Sequence, residues 1–254
     1  MIPNIHFTQV QMSQVLDKGF VELLGVFGDD LTVVNAARVS YNKEVTVMEP
    51  KDAKLIKYLA EHNHVTPFFH PQVRLRLKMP IFVAREWYRH QIGFARNEVS
   101  RRYVDYKAEM YLPESVRERD AKLKQGSKGS PVADNSAATA LIDDLNKRAE
   151  ETYEQLLAMN VAPEVARTVL PQGMYTEFIE TGSLAAYARL CGLRLDPSAQ
   201  WEIRQYAAAV SELLQEKFPV SWPALTPAWA PSASASASQP APATPIVQTF
   251  DLGC

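Results

Sequence analysis

The segment QVRLRLKM, residues 72–79, constrains the fold more than any other stretch of the chain. Val73, Leu75, Leu77 and Met79 face one way; Gln72, Arg74, Arg76 and Lys78 face the other. Side chains on a strand alternate between faces, so this spacing predicts a strand buried on one side only. Pro80 comes next, a residue favoured in the first turn of a helix, and predicts a helix running toward His90. A strand with one apolar face needs helices or a second sheet laid over it. The rest of the sequence offers both. GFVELLGVFG (19–28) and MYTEFIET (174–181) read as strands. DDLTVVNAARVS (29–40) reads as a helix capped by Asp29 or Asp30, and residues 51–62, 141–159, 184–193 and 197–218 carry helical spacing. Asp196 and Pro197 offer the last of these a cap and a first-turn proline, and Pro163 starts a further short helix. Strands and helices interleave, which predicts an α/β or α+β fold: mixed helices with a sheet containing antiparallel strands, in one domain.

That domain is expected to span 15–228. Residues 1–14 read as an N-terminal extension, 113–137 as a long polar, turn-rich loop, and 229–254 as a Pro/Ala/Ser-rich tail. The tail cannot bury enough apolar surface to offset its ordering entropy. The chain has 254 residues, 46% of them hydrophobic, enough for a substantial core. Its 27 basic and 29 acidic side chains nearly balance, which argues against a general nucleic-acid coat. The only cysteines are Cys191 and Cys254, without a CxxC pair, so a reducing cytoplasm is the expectation. No basic leader with an apolar run, and no stretch near the roughly 18 apolar residues of a membrane span, is visible.

Against this balance, the window 85–102 concentrates five arginines with only Glu86 and Glu98 opposing them. Arg85 and Arg89 lie one helical turn apart, and their heads could converge on one ligand. Gly93 loosens the helix, so FARNEVSRRY (94–103) is expected to run as a loop. Two readings fit: a site for a small phosphorylated ligand, gripped by bidentate guanidinium groups, or a solvated basic helix face with internal Arg–Glu pairs. His62, His64 and His70 cluster in HNHVTPFFH, but their spacing across two prolines fits no standard zinc pattern. They are expected to cap and pack a turn, with no metal. GxSxG, the P-loop and GxGxxG are all absent.

Arg89, His90, Asn97, Glu98, Ser100, Arg102 and Tyr103 resemble the signature of flavin-dependent thymidylate synthases, usually RHR, seven residues, then Ser. DKGFVELLGVFGDDL, AARVSY, HNHVTPFFH, PIFVAREWYRH, EVARTVLP, YTEF and LRLDPSAQWEIRQYA each resemble a family segment, in family order, over about residues 17–222. The resemblance implies conversion of dUMP to dTMP with methylenetetrahydrofolate as carbon donor, NADPH as reductant and FAD as redox relay. It also implies a homotetramer with active sites where subunits meet, and no attacking cysteine or serine. By position it assigns Ser40, Thr66, Arg89, His90, Gln91, Asn97, Glu98 and Arg189 to FAD. Glu86, Arg89, Glu98, Ser100, Arg102, Arg167 and Arg194 fall to dUMP. Arg194 is the expected catalytic residue, stabilising negative charge on the pyrimidine as C5 becomes nucleophilic; without the resemblance it reads as a helix-end cation paired with Asp196. His64 matches a histidine near the flavin edge, with a gating role.

The chain departs from the family pattern at several positions. Gln91 stands for the second arginine of the signature, eight residues rather than seven precede Ser100, and Glu86 replaces a common glutamine. Ser183 and Ala185 replace an Asn-x-Arg flavin contact, and Arg189 occupies an asparagine position where it could restore the charge. These departures leave open a related one-carbon transfer, such as hydroxymethylation, to another deoxypyrimidine monophosphate. A nucleotide- or RNA-binding protein without catalysis is the reading from another class.

Overall fold

The computed structural model describes residues 11–227, apart from 105 and 122–125. Its first strands, β1 (Gln11–Val15) and β2 (Gly19–Phe27), form a hairpin that leads into α1 (Asp30–Arg38) and α2 (Pro50–Glu61). The strand read from alternation is β3 (Gln72–Pro80), followed by α3 (Ile81–Trp87) and β4 (Phe94–Glu98). A small hairpin, β5 (Arg117–Arg119) and β6 (Ser127–Pro131), precedes α4 (Asn135–Ala158) and α5 (Pro163–Ala166). Then come β7 (Tyr175–Ser183), α6 (Leu184–Arg194), α7 (Trp201–Lys217) and α8 (Ser221–Leu225). The five-stranded sheet has the order β1-β2-β3-β7-β4, every pair antiparallel. The expected α+β class holds, with helices gathered over one face of the sheet.

The alternation in β3 explains that arrangement. Val73, Leu75, Leu77 and Met79 are fully buried, while Arg74 and Arg76 on the other face are exposed. Over the apolar face pack α3, α6 and α7, whose Trp87, Tyr187, Tyr206, Val210 and Leu214 join the core. The outer face carries charge: Arg76 pairs with Glu177 across to β7 and lies 3.8 Å from Glu22 on β2.

Local chemistry sets the helix ends. Asp29 caps α1 through a capping box with Thr32. Asp30, the alternative cap, is buried instead and accepts from the amides of Val220 and Ser221 at 2.9 and 2.8 Å, tying α1 to α8. Pro80 is the N-cap of α3 rather than its first helical residue. Asp52 of α2 is fully buried and paired with Arg38 of α1.

Four expectations need correction. Residues 11–14, read as part of an extension, belong to β1; an edge strand pairs on one side only, and the three-residue turn before Gly19 uses Leu16 at φ +60° rather than a glycine or asparagine. FARNE is a strand, not a loop, because Phe94 to Glu98 pair with Gly182 to Phe178. The expected 113–137 loop holds the β5–β6 hairpin and the start of α4, whose N-cap Asp134 accepts from the Ala137 amide. The helix expected from Pro197 starts at Trp201, since the Asp196 carboxylate folds onto Ser198 and makes a turn. Residues 1–10 and the tail 229–254 lie outside the described residues.

Leu75 lies in the middle of the apolar face of β3 with no exposed surface. Leu75→Ala is expected to destabilise the fold by about 2–5 kcal/mol, read as a lower urea midpoint at fixed protein concentration.

Candidate active site

Two elements of the sheet end in helices that meet near the arginine-rich segment. β7 continues directly into α6, which ends at Arg194; β3 continues through Pro80 into α3, which carries Glu86. The Arg194 Nε donates to His90 Nε2 at 3.0 Å, and its Nη2 donates to the Glu86 carbonyl at 3.0 Å. Its Nη1 approaches the Glu86 carboxylate at 3.5 Å. Arg194 therefore does not pair with Asp196; it is held by the end of α3. The carboxylate of Glu86 meets this guanidinium rather than Arg85 or Arg102. Among the described residues three of the five N–H bonds of Arg194 are engaged, which fixes the plane of the group and leaves two for a ligand.

His90 accepts from Arg194, so its Nε2 carries a lone pair and the ring is neutral, with its proton on Nδ1. Burial, and then the cations Arg194, Arg96 and Arg189, push its pKa down to about 4. Arg189 Nη2 donates to the Ile92 carbonyl at 2.5 Å, clamping the loop after His90 onto α6. Gly93 turns that loop at φ +84°, and a Cβ there would lie 2.9 Å from the Ala186 Cβ and 3.1 Å from the Ser183 hydroxyl. The small side chains at 183 and 186 let the loop approach, and the Ser183 amide donates to the Gly93 carbonyl at 3.1 Å.

The five clustered arginines divide into separate roles. Arg85 reaches Gln172 at 3.3 Å, and Arg89 lies beyond the end of α3. Arg101 is buried and donates to the Tyr106 carbonyl. Arg96 is paired with the buried Glu180. Arg89 and Arg102 point outward; among the described residues Arg89 has no hydrogen-bond or carboxylate partner, and Arg102 touches only Ser100 at 3.4 Å and the Tyr103 ring. Arg167 follows α5 in a 3-10 turn and is likewise exposed, and among the described residues no bond joins it to Arg194.

Asn97 and Glu98 border a groove of about 320 Å³ on the outer face of the sheet, with Arg76, Glu177 and Ile179. Glu98 accepts from the Thr176 hydroxyl at 2.5 Å. Among the described residues the Ser100 hydroxyl is bonded only to Arg102, and no histidine is bonded to it as an activating base. Ser40 is exposed in the turn after α1, and Thr66 opens a 3-10 turn that packs against α1 and α6. Gln91 is exposed in the loop. His62 stacks on Tyr58, and the His64 amide closes the end of α2 onto Leu59. Cys191 is fully buried and burial pushes its thiol far up, away from nucleophile chemistry; Cys254 lies outside the described residues.

One chain thus brings together Glu86, His90, Arg189 and Arg194, with Gln91 next to His90 in the loop. Among the described residues no hydrogen bond or ion pair joins Arg102 or Arg167 to them. The sequence reading missed the pairing of Arg96 with Glu180; the signal was a glutamate two residues after Phe178, on the core-facing register of β7. The neutral state of His90 has a consequence for stability. Its folded pKa lies below the ordinary value of 6.5, so between pH 6.5 and 4 the unfolded chain takes up a proton that the folded chain does not. Stability is expected to fall as the pH drops through that window. His90→Gln should flatten this slope in urea-unfolding midpoints measured from pH 7 to 4.

The family model of the thymidylate synthase complementing protein matches residues 22–220 of the chain. A flavin-dependent thymidylate synthase of Thermus thermophilus is 45% identical over 210 residues, 83% of this chain and 76% of the relative. One of Thermosipho africanus is 44% identical over 209 residues, 81% of this chain and 90% of the relative. Among solved structures, the UMP/dUMP methylase PolB from Streptomyces cacaoi, bound with 5-Br dUMP, superposes with a TM-score of 0.76 at 29% identity. That match covers 84% of this chain and 97% of PolB. The family-model match over residues 22–220, with relatives 44–45% identical over more than four fifths of the chain, places this chain in the family of flavin-dependent thymidylate synthases.

Proposed function

We propose that the chain carries out the reductive methylation of dUMP to dTMP, with Arg194 as its catalytic residue. The observation that carries the reading is the Arg194 guanidinium, held by His90 and Glu86 with two N–H bonds uncommitted. A fixed cation of this kind stabilises negative charge on a pyrimidine edge without reorganising when that charge develops. FAD, when bound, supplies the redox chemistry, with NADPH as reductant and methylenetetrahydrofolate as carbon source. The residues fit such a group. Arg89 is an uncommitted cation beside the loop, Arg189 is an exposed cation with one N–H given to the Ile92 carbonyl, and the Gly93 turn exposes backbone where a pyrophosphate or ring edge can approach. Ser40, Thr66, His90, Gln91, Asn97 and Glu98 would complete this side.

Glu86, Glu98, Ser100, Arg102 and Arg167 would hold the nucleotide, with Arg102 and Arg167 taking its phosphate. Among the described residues neither is bonded to Arg194 within one chain, and we read the site as one completed by neighbouring subunits of a homotetramer. His64, exposed at the end of α2, would gate the flavin edge. The likeness to PolB, whose name covers both UMP and dUMP, favours UMP as a second substrate to test.

The purified protein is expected to show the visible absorbance of a bound flavin and to form dTMP only when NADPH, dUMP and methylenetetrahydrofolate are all present. Product mass identifies dTMP; hydroxymethylated or UMP-derived products would redirect the reading, and loss of all turnover with nucleotide binding intact would refute it. Arg194→Ala should lower kcat by about 10²–10³, with flavin content retained. Arg189→Ala should reduce the flavin recovered per chain after gel filtration, and an unchanged ratio would remove Arg189 from the flavin site.

A further inference from the structure

The segment 87–96 is tied at both ends to one buried carboxylate. Glu180 lies in the middle of β7 with no exposed surface, opposite Leu75 on one side and Arg96 on the other. Trp87, the last residue of α3, donates its Nε1–H to both Glu180 oxygens at 3.2 Å. Arg96 closes the other end through its Nε, and its guanidinium lies 4.6 Å from the Phe94 ring centroid and 5.5 Å from that of Tyr88. His90 lies between the two ties. The loop that follows it is pressed onto β7 and α6 by Gly93, Ser183 and Arg189. β7 runs without a break into the helix that ends in Arg194, so Glu180 joins the segment holding His90 to the element holding its partner.

We propose that Arg96 is a positioning residue for Arg194: its buried pairing with Glu180 fastens the chain around His90, so that the imidazole keeps its place as acceptor for the Arg194 Nε–H. The inference rests on the reading of Arg194 as the catalytic cation. A hydrophobic residue at 180 would pack this core without a desolvation cost, so the carboxylate is not explained by stability alone. The charges facing His90 are Arg194 and Arg189 from α6 and Arg96 from β4. Glu86 on α3 faces Arg194, and Glu180 on β7 lies behind Arg96. Arg96 thus acts twice, holding the backbone in place and adding positive charge that disfavours a proton on His90.

The test uses the flavin-loaded enzyme and the double variant Arg96→Met with Glu180→Leu. It removes both charges together and leaves no buried ion unpaired. Arg96→Lys, with Glu180 kept, serves as the conservative comparison. In labelled protein, the His90 ring is assigned by comparison with His90→Gln and titrated by NMR. The double variant should raise its midpoint and lower kcat at pH 6.5 about tenfold, with KM for dUMP little changed. Arg96→Lys should recover most of both. An unmoved His90 midpoint would overturn the proposal even if kcat fell, because the pair would then be structural only; unchanged kcat would overturn it as well. A wild-type enzyme that failed to turn over dUMP would count against the functional reading alone, since the His90 titration decides this one independently.

Discussion

The pairing of β3 with β7 is the constraint on which the rest depends. Residues far apart in the chain, Gln72–Pro80 and Tyr175–Ser183, lie in register along their full length. Each strand leads directly into a helix, and the two helices bring Glu86 and Arg194 together. A one-residue slip would turn Leu75 and Leu77 to the outer face and Arg74 and Arg76 into the core, so burial fixes the register strongly. The same register sets Glu180 opposite Arg96, and so fixes where the loop after His90 meets the sheet.

Charge follows from that scaffold. The chain is nearly neutral, yet its cations are sorted by burial into holders and presenters. Arg38, Arg96 and Arg101 have their guanidinium groups committed to buried carboxylates or carbonyls and hold the fold. Arg89, Arg102 and Arg167 are exposed and uncommitted or nearly so, the state required of groups that take a phosphate from water. Arg194 stands between these classes, oriented by two partners and still able to donate.

Much of the fold was legible because it rests on strong periodicity. β3, β7, α2 and α6 were visible from alternation or helical spacing. The parts that were not legible lack a local signal. β1 is an edge strand with a left-handed leucine in its turn, and β4 reads as a loop because its partner lies some eighty residues away. The hairpin of β5 and β6 is built mainly from polar residues, part-buried in β5 and exposed in β6, that carry no alternation of apolar side chains. Arg194, His90 and Glu86 were legible as candidates from the resemblance, whereas their mutual hydrogen bonds were not, since Glu86 and Arg194 are joined only through tertiary structure. The role of Arg96 was hidden for a similar reason: in sequence it is one arginine of five, and only burial separates it from the rest.

The proposed reaction requires that separate arginines gather around one nucleotide. A crystal structure of the flavin-loaded protein with 5-bromo-dUMP measures this directly, since the bromine can be located by its anomalous signal. The expected result is a pyrimidine edge within hydrogen-bond distance of Arg194, with the phosphate between Arg102 and Arg167 once all subunits are considered. A base bound away from Arg194, or a phosphate contacting neither arginine, would contradict it.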